Sequence, residues 1–347
     1  MRKSVFCEYQ FIKSIEVDPF STDYKEEKRK YELRRIFESA IENSDIYFDL
    51  SPQQINEVRK KDSYFESILE TGVDGYYSTS ILDCGYNEFI NSSHNNWISP
   101  IVFFSKDDED CIKLKQKFGI YAVNEHSLIS LEKDFREDGF STKKGEENSW
   151  NSHFTDNNFI CNSLILTDKY VLTKKWAYEF DVVPILNKIL PKTLDIPFKI
   201  GVFSSESKGL TTENQCKKLI TEIQKIRPDL NFKLTLFKVD NDDLHDRYII
   251  TNYFWIKVGS GFDLIKRDDY YKTIATHTTE VELNYPFVQE KKRYKRDTFE
   301  NMLRDTVKIR NNASNIKGTR NYWNMSFFEN NVESPPDENR LYRFEEL

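Results

Sequence analysis

His245, Arg247, Asn252, Gly259 and Ser260 form the most concentrated group of chemically useful side chains in this 347-residue chain. One residue separates His245 from Arg247, four lead on to Asn252, and six more reach Gly259-Ser260. The stretch 248–258, YIITNYFWIKV, is aromatic and β-branched on either side of the polar turn Thr251-Asn252-Tyr253. It predicts two short strands joined as a hairpin. Residues two apart on a strand share a face, which groups His245 with Arg247. The returning strand brings Gly259 and Ser260 back beside them. Gly259 lets a ligand approach the backbone, and Ser260 offers a hydroxyl and an N–H. An imidazole, a cation and small donors at one spot suit phosphoryl transfer: a nucleophile, with positive groups for the nonbridging oxygens.

The flanking sequence supplies elements that could hold this group. Ser163 to Leu172 reads as a strand with Asp168 near its end, and Phe198 to Phe203 as another. Thr212 to Ile226 is amphipathic, with Cys216, Leu219, Ile220, Ile223 and Ile226 on one face, a Thr212/Gln215 capping box at its start and Arg227-Pro228-Asp229 at its stop. Phe232 to Phe237 alternates as a further strand. The hairpin follows.

This order and the motif spacing resemble the phospholipase D superfamily, whose motif is H-x-K-x4-D-x6-G-S-x-N. Here Arg247 stands in the Lys position, Asn252 in the Asp position and Phe262 in that of the last Asn. The resemblance covers residues 157–290. It implies a phosphodiesterase that needs no cofactor, with His245 as nucleophile, Arg247 and Gly259 at the phosphate and Ser260 as donor. It also implies an acid on a strand after the His, and Glu280 is the residue placed to orient it. Arg keeps the charge of Lys and adds a bidentate grip, whereas Asn252 removes a carboxylate that could fix the tautomer of His245. Active members of the superfamily pair two motifs, and this chain has one. The expectation is therefore a homodimer completing the site across a two-fold axis, with His277 as an alternative second imidazole. A divergent branch of the superfamily binds phosphoinositides or scaffolds partners without catalysis, and that reading stays open beside the enzymatic one. Lys291, Lys292 and Arg293 open a run of five cations around Tyr294 that could steer a polyanion. The alternative for that run is a solvated helix start.

The N-terminal half also reads as α/β. Ser4 to Ile12 is strand-like, Lys30 to Asn43 helical, Ile46 to Leu50 a strand, and Ser51-Pro52 starts a helix with Pro in its first position. Ile101 to Ser105 is a buried strand, Asp107 to Phe118 a helix, and Gly119 to Val123 the next strand. The order is similar to PIN-type nuclease domains over residues 4–130. That resemblance implies Mg²⁺ or Mn²⁺ held by acids at strand ends, here Glu8, Glu57, Asp107 and Asp108, with Asp110 as an alternative. Plain capping of a helix N-terminus is the competing account of the Asp-rich start.

A net charge of −7 argues against nucleic-acid binding over the whole surface and leaves room for a local patch. Five scattered cysteines without a C-x-x-C spacing fit a reducing cytoplasm and no structural zinc. No apolar signal core or run of ~18 apolar residues is present, so no membrane association is expected. The fold class expected is α/β with two mixed-sheet domains. The boundaries are an N-terminal domain at 1–140, a polar linker at 141–156, a phospholipase D-like domain at 157–290 and a C-terminal helix and tail at 291–347. The function expected is a nuclease-like phosphodiesterase that acts on nucleic acid in a bacterial defence system. The rival is an inactive module binding phosphate or protein partners as a subunit of a larger defence complex.

Overall fold

A computed structural model describes residues 3–41, 44–70, 80–83, 99–134, 138–147, 150, 159–172, 182–205, 212–239, 247–259, 262, 265–267, 273–275, 278–284, 292–314, 325–329, 332–333 and 339–345. Two compact units emerge, Met1–Phe135 with Phe287–Lys292 and Leu347, and Arg136–Pro286 with Arg293–Glu346.

The first unit is built on a parallel sheet. Its strands are β1 (Lys3–Cys7), β2 (Ser44–Phe48), β3 (Ser80–Asp83), β4 (Ile101–Phe104) and β5 (Tyr121–Asn124), in the order β3-β2-β1-β4-β5. Ile101 to Phe104 and Tyr121 to Asn124 are buried at every position, as strands covered on both faces must be. Helices α1 (Tyr9–Ser14), α2 (Tyr24–Ile41), α3 (Pro52–Arg59), α4 (Ser63–Glu70), α5 (Asp108–Phe118) and α6 (Leu128–Asp134) follow the strands. Phe11 of α1, Phe37 of α2 and Phe103 of β4 meet with ring centroids 5.1–5.6 Å apart. The expected strand from Ser4 to Ile12 stops at Cys7. Phe11 and Ile12 donate their N–H groups to the Glu8 carbonyl, and Phe11, Ile12 and Ile15 are buried at helical spacing. Helix α2 begins six residues before the expected Lys30, because Asp23 accepts from the N–H groups of Lys25 and Glu26. The expected Ser51-Pro52 start of α3 is present as a full capping box between Ser51 and Gln54.

The second unit carries a mixed sheet. Three strands, β7 (Ser163–Thr167), β8 (Phe198–Ser204) and β9 (Phe232–Lys238), run parallel. Antiparallel to β7 lies the hairpin β10 (Tyr248–Thr251) and β11 (Trp255–Val258). Beyond it come β14 (Thr279–Asn284) and then β6 (Asp138–Thr142), and beyond β9 come β15 (Met325–Glu329) and β16 (Val332–Glu333). A separate ribbon pairs β12 (Ile265–Arg267) with β13 (Thr273–Ala275). Helices α7 (Val183–Ile189), α8 (Thr212–Ile226) and α9 (Lys292–Ser314) complete the unit, with a final 3-10 turn at Arg340–Glu345.

Two expectations about boundaries are corrected. The linker placed at 141–156 is, where described, part of the second unit. Asp138–Thr142 is the edge strand on β14, Gly145 donates to Ala275, and Trp150 is buried. An amphipathic edge strand with one Gly and no aliphatic run looks like a linker in sequence. The end of the tail expected within 291–347 also packs inward, where described. Asn339 donates to the carbonyls of Leu164 and Lys199 at 2.9 and 3.0 Å, bridging β7 and β8. Tyr342 lies so close over Gly201 that a Cβ there would stand 1.8 Å from its hydroxyl oxygen. Among the described residues no helix is long and apolar enough to cross a membrane.

Candidate functional site

Register explains how the hairpin presents Arg247. Tyr248 pairs with Lys257, and the Val258 N–H donates to the Arg247 carbonyl at 3.1 Å. Val258 therefore stands level with Arg247, and Gly259 is the next residue along. The Arg247 Nη1 donates to the Gly259 carbonyl at 3.3 Å. Gly259 sits close under Thr279, since a Cβ would lie 2.7 Å from the Thr279 hydroxyl oxygen and force it to shift. The guanidinium sits 5.9 Å from the centre of the Tyr170 ring. Its Nε is buried and has no hydrogen-bond partner among the described residues.

The loop after β7, which carries Tyr170, lies beside this cation. After β7 the chain turns at Asp168, whose carboxylate accepts the Tyr170 N–H at Oδ1 and the Phe262 N–H at Oδ2, both at 2.7 Å. Asp168 is buried, and it fixes both the loop after β7 and the segment after Gly259. Ser205, just past β8, donates its N–H to the Lys169 carbonyl at 3.1 Å, while its buried hydroxyl has no partner among the described residues. Asp168, Tyr170 and Ser205 were not among the expected site residues. The available signal was an acid at the end of an apolar strand, which sequence alone cannot assign to a neighbour.

Two expected roles change. Asn252 sits just past the far end of β10, roughly 16 Å from Arg247 at ~3.3 Å per residue. It is fully buried, and its Oδ1 accepts the N–H groups of Asn162 and Ser163 at 3.0 and 2.9 Å. It anchors the start of β7, away from Arg247. Glu280 pairs with Ser141 and is exposed, as is Glu282, whereas Val281 and Leu283 are buried. Val258 pairs with Val281, so Arg247 shares its face with Val281, and Glu280 projects from the other face. It is not placed to orient a group beside Arg247. His245, Ser260, His277 and Lys291 lie outside the described residues. Lys292 and Arg293 fall in the first turn of α9, with side chains outside the description.

Three of the four expected acids of the first unit, Glu8, Asp107 and Asp108, follow the carboxyl ends of β1 and β4. The sheet order reverses between β1 and β4, the place where open α/β sheets form their ligand crevice. Glu8 lies there, accepting the Ser105 N–H at 2.9 Å and the Ser105 hydroxyl. Asp107 caps α5 by accepting the Asp110 N–H at 3.0 Å, and Asp108 accepts from Asn124 at 2.8 Å. Glu57 is exposed on α3 beside Gln53. The four expected metal ligands thus have separate local partners. Among the described residues no three His, Cys, Asp or Glu side chains converge as a metal-holding group.

Asp49, just past β2, was not expected. It accepts the Tyr9 N–H at 2.8 Å. Desolvation by the surrounding strand ends, with a smaller contribution from Glu8, raises its carboxyl above the usual value despite that hydrogen bond. Asp62 behaves oppositely. Burial alone would raise it, but the Phe65 N–H and the Tyr9 hydroxyl, each at 2.9 Å, and the Lys13 ammonium outweigh burial and lower it.

No protein-family model matches the chain, and no curated protein matches it in sequence.

Proposed function

We propose that the second unit is a phosphate-recognition site for nucleic acid at the end of its mixed sheet, and that the protein acts there as a nuclease-like phosphodiesterase. The observation that carries the reading is Arg247. It is held by the Gly259 carbonyl at 3.3 Å with a buried Nε–H that has no partner among the described residues. A buried guanidinium donor without an acceptor is costly, and a phosphate oxygen would satisfy it with a charge-assisted bond. Ser205, just past β8 on the other side of β7 from the hairpin, has a buried hydroxyl without a partner among the described residues. The sequence supports the same site, since His245 precedes Arg247 by two residues within the superfamily spacing.

In this reading Arg247 and Gly259 position the phosphate and His245 is the nucleophile. The setting in bacterial defence rests on analogy between folds. The test is cleavage and binding of short oligonucleotides. His245→Ala should abolish turnover while leaving binding, and Arg247→Ala should weaken both. Cleavage indifferent to His245→Ala would sink the catalytic part. Arg247→Ala without effect on binding would sink the site. Activity that disappears in chelator but persists in His245→Ala would move the chemistry to the first unit.

A further inference from the structure

Three of the most exposed large apolar side chains in the described chain are clustered within twelve residues: Phe20, Tyr24 and Tyr31 are 90%, 88% and 66% exposed. They are presented by an ordered scaffold. Helix α2 buries Leu33, Ile36, Phe37 and Ile41 against its unit. At ~100° per residue, Tyr24, Lys28, Tyr31 and Arg35 fall on the opposite line, farthest from that core. All four are exposed. The turn carrying Phe20 is tied to the same helix. The Asp18 N–H donates to Glu27 at 2.7 Å, and the Phe20 N–H donates to Asp18 at 2.9 Å.

The order along this line is aromatic, cation, aromatic, cation, at spacings of four, three and four residues. Read backwards, the spacings are the same and each aromatic is exchanged for a cation. A two-fold axis crossing α2 between Lys28 and Tyr31 therefore sets Tyr24 of one copy opposite Arg35 of the other, and Lys28 opposite Tyr31. Four cation–aromatic contacts result, with none of like kind. Glu32 and Glu38 flank the line, so the face is of mixed sign, which suits a copy of itself better than a polyanion. The area is also sufficient. At ~200 Å² per ring the three aromatics expose about 500 Å², and Lys25, Lys28, Glu32 and Arg35 bring the face near the ~800 Å² per partner of a specific interface.

We propose that the protein forms a two-fold symmetric dimer through the outer face of α2, with a second copy of this chain as its occupant. This goes beyond the phosphate site and does not depend on it. The experiment is sedimentation of the full chain over a concentration series, with circular dichroism to verify folding. The wild type should sediment as a dimer dissociating on dilution. Tyr31→Lys sets a cation opposite Lys28 and should give a folded monomer. Adding Lys28→Tyr to it again sets an aromatic opposite a cation across the axis and should restore the dimer. A wild type that stays monomeric at all concentrations overturns the proposal. So does a dimer indifferent to Tyr31→Lys, or a double variant that remains monomeric. Binding of a single-stranded oligonucleotide by a monomeric wild type, lost in Tyr24→Ala, would instead assign the stripe to nucleic acid.

Discussion

At the carboxyl end of the parallel sheet, Glu8 receives the backbone and hydroxyl of Ser105, Asp107 caps a helix, and Asp108 holds Asn124. At the end of the mixed sheet, Asp168 receives two backbone N–H groups, but the neighbouring Arg247 keeps a buried donor without an acceptor among the described residues. Both ends carry charge, and the difference lies in how it is used. A carboxylate whose oxygens take up local N–H and O–H groups secures the fold. Arg247 is secured at one nitrogen, while another is unmatched among the described residues, which leaves it able to take the ligand proposed above. Sequence shows the charges but not this distinction, because the partners lie on other strands.

The comparison can be broken first at Asp168. Asp168→Ala leaves the N–H groups of Tyr170 and Phe262 without their acceptor. The expected loss is about 2–6 kcal/mol of stability in the second unit, from ~1–3 kcal/mol for each orphaned donor, read by urea denaturation. A loss below about 0.5 kcal/mol, typical of an unengaged surface position, would erase the contrast with Arg247.

A structural acid in the first unit sharpens the same contrast. Asp62→Asn should cost about 1.5–3 kcal/mol, since hydrogen bonds to a charged group are involved. Its effect must depend on pH. The carboxyl of Asp62 is lowered in the folded state, so its stabilisation is complete above the unfolded value of about 4. It is lost as pH falls through the folded value below that. Denaturation at neutral pH should therefore separate wild type from Asp62→Asn, and strongly acid conditions should bring them together. An equal gap at both pH values would contradict the assignment.

Smaller effects are expected where an acceptor is conserved or shared. Ser105→Ala removes one of two donors to Glu8 and should cost about 0.5–1.5 kcal/mol. Asn252→Asp keeps an acceptor for Asn162 and Ser163, so turnover should not rise in an oligonucleotide assay, although the residue then matches the superfamily. An increase in cleavage would return Asn252 to the chemistry.

Much of the fold was legible because it depends on local pattern. The strands Phe198–Ser204 and Phe232–Lys238, the helix Thr212–Ile226 and the 248–258 hairpin follow from alternation, amphipathicity and turn residues. Arg247 beside Gly259 followed from counting along two strands. Roles that depend on nonlocal register did not. Glu280 has the spacing of an orienting acid, yet alternation relative to Val281 turns it to the other face. Asn252 has the motif position of an acid, yet it anchors residues 89 and 90 positions away. The edge strand Asp138–Thr142 is too polar to distinguish from a linker until β14 is known to lie beside it.

The most direct measurement is calorimetric titration of a short oligonucleotide into wild type, Arg247→Lys and Arg247→Ala. If Arg247 is the phosphate ligand, Arg247→Ala should lose about 1.5–3 kcal/mol of binding free energy, roughly ten- to more than a hundredfold in Kd, without loss of fold stability. Arg247→Lys should retain part of the affinity, because the charge survives without the planar fork. Equal affinity for all three proteins would contradict the account at its centre.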